Sequence, residues 1–361
     1  MICIKKRYFN WNRLLLLSLG LWPDKETKFT RIQARLLFSL LMSSVPFHFS
    51  RLFIEECNID YVIKIIASVT FFIMLIVIFI CFWTNMKSMK YLLNQLQHIY
   101  HELKDKNEIA IYDKYGYSGK RFTIRLMSKK NIREILSQCV KINLFAVCSL
   151  FFAGTMLFSP YILDIVMPKN ESYAIHIMKL ITKYFRVSEK YYFLSFIYLN
   201  AACSAGVIVV IGTGTMILSY FKHACGLFEI ASYRMEQAMA IELLHDLNTK
   251  NEIIIYKKII CAVDIHRKAL QFAKCFMDKL QGASFFLIIA TVLCLSCNLF
   301  ELFQTQSNTE EVEEVILHFF AVIGIVLFLF VTNYSGQEII DHSNNVYVTT
   351  YFFLDTPFHD I

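Results

Sequence analysis

Glycine, proline and charged residues are scarce in this sequence. It has 11 glycines, 5 prolines and 18% charged residues among 361, whereas 56% of its residues are hydrophobic. Soluble domains average about 25% charged and about 45–50% apolar residues, so this composition points away from an ordinary soluble domain. Sparse glycine and proline favour long helices, and the alternating segments of about 10 residues that a membrane β-barrel needs do not occur. The sequence therefore predicts an all-α membrane protein.

The sequence also lacks the motifs of enzymes and metal sites. It contains no HExxH, no phosphate-binding loop and no nucleophile elbow, so no enzyme activity is expected. Most of the 11 cysteines lie in apolar segments, where thiols usually behave as small hydrophobic groups. Cys294 and Cys297 form a CxxC pair within an apolar run, with no second pair nearby. We therefore predict no metal site and no cofactor.

Six apolar stretches are long enough to cross a bilayer as helices. A helix of about 20 apolar residues spans the hydrocarbon core, which is about 30 Å thick. The predicted spans cover approximately 30–53, 62–83, 135–161, 191–220, 285–303 and 315–332. Polar links with helical character follow the second span, at 86–127, and the fourth span, at 222–279. The predicted fold is a polytopic membrane helix bundle with long helical links.

The distribution of basic residues predicts the orientation of the bundle. Lys5, Lys6 and Arg7 precede the first span and the two long links are rich in lysine and arginine, whereas the links at 54–61 and 304–314 are acidic or neutral. Under the positive-inside rule the N-terminus and the long links are cytosolic, and six spans place the last residues there too. The sequon at Asn170 then lies outside the cell, where glycosylation is possible. A cytosolic N-terminus argues against a G-protein-coupled receptor.

The predicted spans suit a small apolar ligand. They show no acidic or basic residue at depth, whereas ion-coupled transporters usually need such groups. An apolar ligand requires few polar groups to orient it. His318 in the sixth span has two interpretations, as a residue that lines the pocket or as one that only packs against neighbouring helices. His48 in the first span is a weaker candidate for the pocket. The pocket candidates, each of which is equally suited to a helix core, are Phe71, Phe72, Phe151, Phe152, Met156, Tyr192, Phe196, His318 and Phe319.

Three motifs in the chain carry a resemblance to a known family. The residues Gly20, Leu21, Trp22 and Pro23 precede the first predicted span, and the segment 263–273, with its His266, precedes the fifth. The most specific motif, at 334–343, follows the sixth span, and its signature residues are Tyr334, Gly336, Gln337, Glu338, Asp341 and Ser343. At these three places the chain resembles insect odorant receptors of the hymenopteran type.

This resemblance implies a function and a set of partners. Such receptors are subunits of ligand-gated, non-selective cation channels, which assemble as heterotetramers with a shared co-receptor in the plasma membrane of olfactory sensory neurons. Their odorant site lies in the extracellular half, among the second, third, fourth and sixth helices. The expected partners are a hydrophobic odorant, the co-receptor and membrane lipid, with no nucleic acid. The family has a seventh, pore-lining span, which is not found before Ile361, so we expect a truncated chain with impaired channel activity.

The resemblance divides the chain into five parts. These are a cytosolic segment with an interfacial helix at 1–29, spans one to four with the ligand pocket at 30–221, cytosolic anchor-type helices at 222–278, spans five and six at 279–333, and a cytosolic signature segment and tail at 334–361. A gustatory-type chemoreceptor is one alternative, although that family's Thr-Tyr signature is missing. A six-helix transporter or regulatory membrane subunit is the other, and the lack of inverted repeats disfavours it.

Overall fold

The computed structural model describes residues 4–24, 26–49, 59–126, 192–244, 249–305 and 312–355. Within these ranges all regular structure is helical, which confirms the all-α prediction. The helices are α1 (Ile4–Arg7), α2 (Asn10–Ser18), α3 (Lys28–Phe49), α4 (Ile59–Thr84), α5 (Met86–Glu102), α6 (Lys106–Leu126), α7 (Tyr192–Leu244), α8 (Thr249–Thr305) and α9 (Val312–Asp355).

Four of the described helices are long and apolar enough to cross a membrane. The segments are Tyr61–Thr84, Ile197–Ala240, Ile253–Gln304 and His318–Tyr351, which overlap the predicted second, fourth, fifth and sixth spans. Helix α3 occupies the position of the predicted first span but does not reach the same apolarity, because Arg31 and Arg35 lie in its first turns. The predicted third span and the sequon at Asn170 lie outside the described residues.

Helices α7, α8 and α9 continue well past the length of one membrane crossing. They contain 53, 57 and 44 residues, whereas about 20 residues suffice to cross the hydrocarbon core. The polar link predicted at 222–279 is therefore built from the second half of α7 and the first half of α8. The motif at 334–343, which was predicted to follow the sixth span, lies within the same continuous helix, α9.

The core lies where the short N-terminal helices and α5 pack against α7. Leu15, Leu16 and Leu19 of the N-terminal segment are buried in it. Gly206 allows α7 to approach α4 closely, because a Cβ added at this position would lie 2.3 Å from a methyl carbon of Leu75 in α4. Helix α5 presents one apolar face to this core, as the methionine and leucine spacing of 86–103 predicts. Its buried residues are Met86, Met89, Leu92, Leu93, Leu96, Ile99 and Tyr100.

The motif at 20–23 ends α2 with a tight turn. The N–H of Gly20 donates to the carbonyl of Leu17 at 3.2 Å, and the N–H of Leu21 donates to the carbonyl of Leu16 at 2.8 Å. This pair of bonds is the Schellman arrangement, which requires a left-handed residue after the helix. Gly20 supplies it with φ of 71°. The turn brings the backbone against the start of α3, where a Cβ on Gly20 would lie 2.3 Å from the carbonyl oxygen of Thr30.

Candidate functional site

An aromatic cluster joins three helices near one end of the bundle. We call this end, where α3 and α8 end and α4, α7 and α9 begin, the outer end, after the predicted orientation. The outer aromatic cluster consists of Phe47 and His48 of α3, Phe72 of α4 and Tyr198 of α7. Ring centroids lie 5.1 Å apart both for Phe47 and Tyr198 and for His48 and Phe72. The cluster thus presents aromatic surface from helices that are far apart in sequence.

Two polar groups are held at defined positions in the outer aromatic cluster. The Tyr198 hydroxyl lies 2.6 Å from the hydroxyl of Ser43. The Nδ1 atom of His48 lies 2.6 Å from the carbonyl oxygen of Ser44, so this nitrogen donates, because a carbonyl oxygen only accepts. His48 is 3% exposed. A cluster that is mostly apolar with a few fixed polar groups is the usual composition of a small-molecule site.

A second group of side chains, the outer polar cluster, lies between α4, α8 and α9. It comprises Lys64, Asn298, Glu301 and His318. The Lys64 Nζ lies 3.8 Å from a carboxylate oxygen of Glu301, and His318 Nδ1 lies 2.9 Å from Oδ1 of Asn298. Glu301 and His318 are each 2% exposed. The ion pair thus joins the outer ends of the second and fifth spans, where its carboxylate is buried between helices.

The outer polar cluster rests on an apolar contact between the same three helices. Met74 of α4, Ala290 and Cys294 of α8 and Ile325 of α9 form a small buried cluster. The Asn298 amide donates to the carbonyl of Cys294 at 2.7 Å, which connects the polar group to this contact. An ionised side chain that is buried in a membrane protein needs an ion-pair or hydrogen-bond partner, because burying an isolated charge costs free energy.

Four of the nine predicted pocket residues have side chains that the structure describes. Phe72 lies in the outer aromatic cluster and His318 in the outer polar cluster, whereas Phe71 and Phe319 are 37% and 50% exposed. Tyr192 and Phe196 lie in the first turns of α7, but their side chains are outside the described part. Phe151, Phe152 and Met156 also lie outside the described residues. Sequence reasoning missed Tyr198, Lys64, Asn298 and Glu301.

The signature at 334–343 connects α9 to α6 and α7 beyond the spans. The Lys222 Nζ donates to both carboxylate oxygens of Glu338 at 2.6 Å. One turn later, Nε2 of His342 lies 2.7 Å from the hydroxyl of Tyr115. Burial, followed by the nearby Glu229 carboxylate, raises the pKa of Tyr115. We call the set Lys222, Glu338, Tyr115 and His342 the signature brace.

Three other signature residues, Tyr334, Gln337 and Asp341, are exposed. The Gln337 amide donates to Asp341 at 2.8 Å along the exposed side of α9. Tyr334 is 57% exposed, and a Cβ on Gly336 would meet nothing within 4 Å. Within the described residues, Glu338 is therefore the predicted signature residue with the clearest structural role.

The segment at 263–273 lies where α8 meets α5, α6 and α7. The His266 ring packs 5.7 Å from the ring of Phe228, and Lys268 forms an ion pair with Glu102 at 2.7 Å. Next to them, the Arg234 guanidinium makes two hydrogen bonds to the Glu108 carboxylate, at 2.7 and 2.9 Å. A second set of ionic contacts thus fastens the helices beyond the spans.

Comparisons with known proteins agree with this geometry. A family model described as 7tm Odorant receptor matches residues 58–354. Among solved structures, the insect olfactory receptor OR5 from Machilis hrabei in complex with eugenol is similar, with a TM-score of 0.60 and 13% identity. That match covers 97% of this chain and 88% of the other. No curated protein matches the sequence. The matched range of the family model includes the outer polar cluster and the signature brace.

Proposed function

The chain belongs to the 7tm odorant receptor family, and from this premise we propose that it is a receptor subunit that binds a small hydrophobic volatile. The observation that carries the proposal is the outer aromatic cluster, which lies at the outer end of a bundle sharing its fold with a receptor solved in complex with eugenol. Membership in the odorant receptor family supports a receptor function for this chain, in preference to an enzyme activity.

The outer aromatic cluster offers the interactions that such a ligand needs. Each 100 Å² of apolar ligand surface removed from water contributes about 2.5 kcal/mol. Aromatic rings at the centroid distances found here favour edge and offset contacts with a further ring. The hydroxyl of Tyr198 and the imidazole of His48 provide polar groups to orient a ligand oxygen. We therefore propose that Phe72, His48 and Tyr198 line the pocket, and that Phe151, Phe152 and Met156 contribute further surface.

The finer parts of the proposal concern signalling. We propose that the subunit works in a ligand-gated cation channel together with a co-receptor, in the plasma membrane of olfactory sensory neurons. Helices α7 and α9 support this, because each extends from the outer clusters to the signature brace. α7 carries both Tyr198 and Lys222, and α9 carries both His318 and Glu338. A ligand that shifts one helix against the other would change the geometry of the brace.

Current recording tests the proposal. The chain is expressed with an odorant receptor co-receptor, and membrane currents are recorded during application of a panel of volatile compounds. We expect at least one hydrophobic volatile to bind to the chain in a dose-dependent manner, and the current recorded with the co-receptor to differ from that of the co-receptor alone. A chain that reaches the cell surface, associates with the co-receptor and binds no volatile in a direct ligand-displacement assay would contradict it.

A further inference from the structure

A fully buried histidine lies in α7, beyond the predicted fourth span. His223 is 1% exposed, and among the described residues neither of its ring nitrogens has a hydrogen-bond partner. One turn earlier, the Tyr220 hydroxyl donates to the carbonyl of Met89 in α5 at 2.8 Å. Helix α5 follows the end of the second span at Thr84. His223 therefore lies past the spans, on the cytosolic side of the predicted orientation.

Aromatic rings from two other elements enclose His223. The ring of Phe9 stacks on the imidazole at a centroid distance of 5.2 Å, and the ring of Tyr8 packs edge-on at 5.5 Å. From α6, the ring of Tyr112 lies 5.0 Å away. Gly116 of α6 allows this approach, because a Cβ there would lie 3.0 Å from Cε1 of His223. We call Tyr8, Phe9, Tyr112 and Gly116 the histidine box.

One side of the histidine box belongs to a short element. Tyr8 and Phe9 lie at the end of what we call the N-terminal segment, residues 4–9, whose helix α1 has 4 residues. The other side belongs to α6, and the histidine to α7, which have 21 and 53 residues. Local opening takes the least free energy in short elements with few internal hydrogen bonds. The histidine box therefore opens most easily by release of the N-terminal segment.

The closed histidine box does not suit a protonated imidazole. Both ring nitrogens of an imidazolium are donors, and the described residues offer them no acceptor. The titratable side chains that face His223 are Tyr8, from the N-terminal segment, and Tyr112, from α6. Burial raises the pKa of both phenols, so they remain uncharged and do not compensate a proton on His223.

The charged groups near the histidine box are already paired. On the side of the N-terminal segment and α6, the Asp113 carboxylate accepts from the Arg7 guanidinium and from the Tyr8 hydroxyl. On α7 itself, the neighbouring Lys222 is paired with Glu338 of α9. No further carboxylate among the described residues contacts His223, so an imidazolium would be buried without a counter-charge.

The position of the proton is linked to closure of the histidine box. Burial lowers the pKa of His223 to about 3, whereas an exposed imidazole titrates at about 6.5. A cation–π contact with the stacked Phe9 ring recovers only part of the cost of burying the charge. Closure is therefore fully favourable above about pH 6.5 and weakens progressively as the pH falls from there towards about 3, because only the open form takes up the proton.

We propose that His223 is a proton-binding site that couples cytosolic acidity to release of the N-terminal segment. Opening moves Tyr8 and Phe9 away from the imidazole, one ring nitrogen takes a proton from the solvent, and hydration of the imidazolium stabilises the open form. Helix α2 stays in place, because Leu15 and Leu16 are buried in the core. The inference does not rest on the proposed odorant function, since the histidine box shares no residue with the outer clusters.

Hydrogen–deuterium exchange of the full chain in detergent, at pH 7.5 and pH 5.5, tests the coupling. Two amides report on closure, since the N–H of Ile4 donates to Oε1 of Gln97 at 2.8 Å and the N–H of Tyr8 donates to the carbonyl of Ile4 at 2.9 Å. Their protection is the exchange rate of the unstructured peptide divided by that of the chain at the same pH. We expect protection to fall about tenfold at pH 5.5, because an exposed imidazole changes from about 90% to about 10% neutral over this range. Amides of residues 70–80 in α4 are the internal reference and should not change.

Two variants assign the effect to His223. His223→Phe keeps a ring in the histidine box and removes the titration, so the protection of the reporter amides should be the same at both pH values. His101→Gln is the matched control. It removes another histidine next to the segment, whose Nε2 lies 2.6 Å from the Gln97 amide, and it should retain the tenfold fall. If His223→Phe does not fold, His223→Met places a flexible neutral side chain in the box and should give the same flat result.

A third variant separates crowding from titration. Gly116→Ala adds a Cβ 2.9 Å from the ring of Tyr8, so it should lower protection by the same factor at both pH values and leave the tenfold ratio intact. Protection in the parent chain that is equal at pH 7.5 and pH 5.5 would overturn the proposal. So would a tenfold fall that persists in both His223 variants, or one that disappears in His101→Gln. Because no volatile is present, these outcomes are independent of ligand binding and of channel currents.

Discussion

The carboxylate of Glu338 in α9 accepts hydrogen bonds at both oxygens, each 2.6 Å from Nζ of Lys222 in α7. Both side chains are largely buried, at 17% and 22% exposed. The two residues are 116 positions apart in the sequence. One turn along α9, His342 binds Tyr115 of α6, so the signature residues fasten three helices beyond the spans. The contact gives the polar motif at 334–343 a structural purpose that its sequence alone does not reveal.

Glu338→Gln is predicted to destabilise the chain. The substitution leaves the Lys222 ammonium in a largely buried position without its counter-charge, which costs about 1–3 kcal/mol. Thermal unfolding of the purified protein, followed by helix content, measures the effect. Gln337→Ala is the matched control on the exposed side of the same turn and is expected to unfold like the parent chain. An equal unfolding midpoint for Glu338→Gln and Gln337→Ala would show that the signature brace does not contribute to the stability of the folded chain.

Gly20→Ala is predicted to lower stability and surface expression. Alanine at φ of 71° costs about 1–2 kcal/mol, and its Cβ would also lie 2.3 Å from the Thr30 carbonyl oxygen. The matched control is Gly214→Ala, where an added Cβ meets nothing within 4 Å. Alanine is the better helix former, so the control is expected to be neutral or stabilising by up to about 1 kcal/mol. The unfolding midpoints of Gly20→Ala, Gly214→Ala and the parent chain test both the expected loss and the neutral control.

Asn298→Ala is predicted to destabilise the outer polar cluster. It removes the partner of His318 Nδ1 and the hydrogen bond to the Cys294 carbonyl. Loss of a buried hydrogen-bond partner costs about 1–3 kcal/mol. Ser296→Ala serves as the control, because among the described residues that exposed hydroxyl bonds only to the carbonyl of Val292 in its own helix. Unfolding midpoints that fall equally in both variants would contradict the prediction.

Asp113→Ala is predicted to release the N-terminal helices from α6. The Arg7 guanidinium lies 2.6 Å from Asp113, and the Tyr8 hydroxyl donates to the same carboxylate. We expect limited proteolysis to cut the first 20 residues faster in this variant. Asp341→Ala, an exposed acidic position on α9, is the control and should be cut like the parent. An unchanged cleavage rate in Asp113→Ala would show that other contacts hold the segment.

The contribution of Tyr8 to this contact is predicted to be constant at physiological pH. Burial, and then the hydrogen bond to Asp113, raise the pKa of Tyr8 above its usual value of 10.0. A group whose pKa is higher in the folded chain stabilises it fully below the unfolded pKa and loses this effect as the pH rises through the folded pKa. The difference in stability between the parent and Tyr8→Phe should therefore be flat up to about pH 10 and shrink above it. A difference that already shrinks between pH 6 and pH 8 would contradict this.

Phe72→Ala is predicted to weaken the response to an activating volatile. It removes the ring that packs against His48 in the outer aromatic cluster, and losing a buried ring from a contact costs about 3 kcal/mol or more. Tyr198→Phe keeps the ring and removes the hydroxyl, so only ligands with a polar group should lose sensitivity. The concentration for half-maximal current measures both effects, with surface expression determined in parallel. Phe320→Ala, at a position 66% exposed, should leave that concentration unchanged.

The sequence alone determined the helical class, the position of most spans and the family. These follow from local properties, because a run of apolar residues in α4 or the spacing of Met86, Met89 and Leu93 reports directly on one helix. The motifs at 20–23 and 334–343 likewise identified the family without any knowledge of contacts.

The tertiary structure decided which of these residues meet. Phe71 and Phe72 are adjacent and chemically identical, yet only Phe72 is buried, because α4 turns by about 100° per residue. The pairs Lys64–Glu301 and Lys222–Glu338 join residues that no local pattern relates to each other. Each charge looks unremarkable in its own segment, and it becomes a buried ion pair only when two helices pack side by side. Burial and pairing are properties of the packed bundle, so hydropathy along a single helix does not predict them.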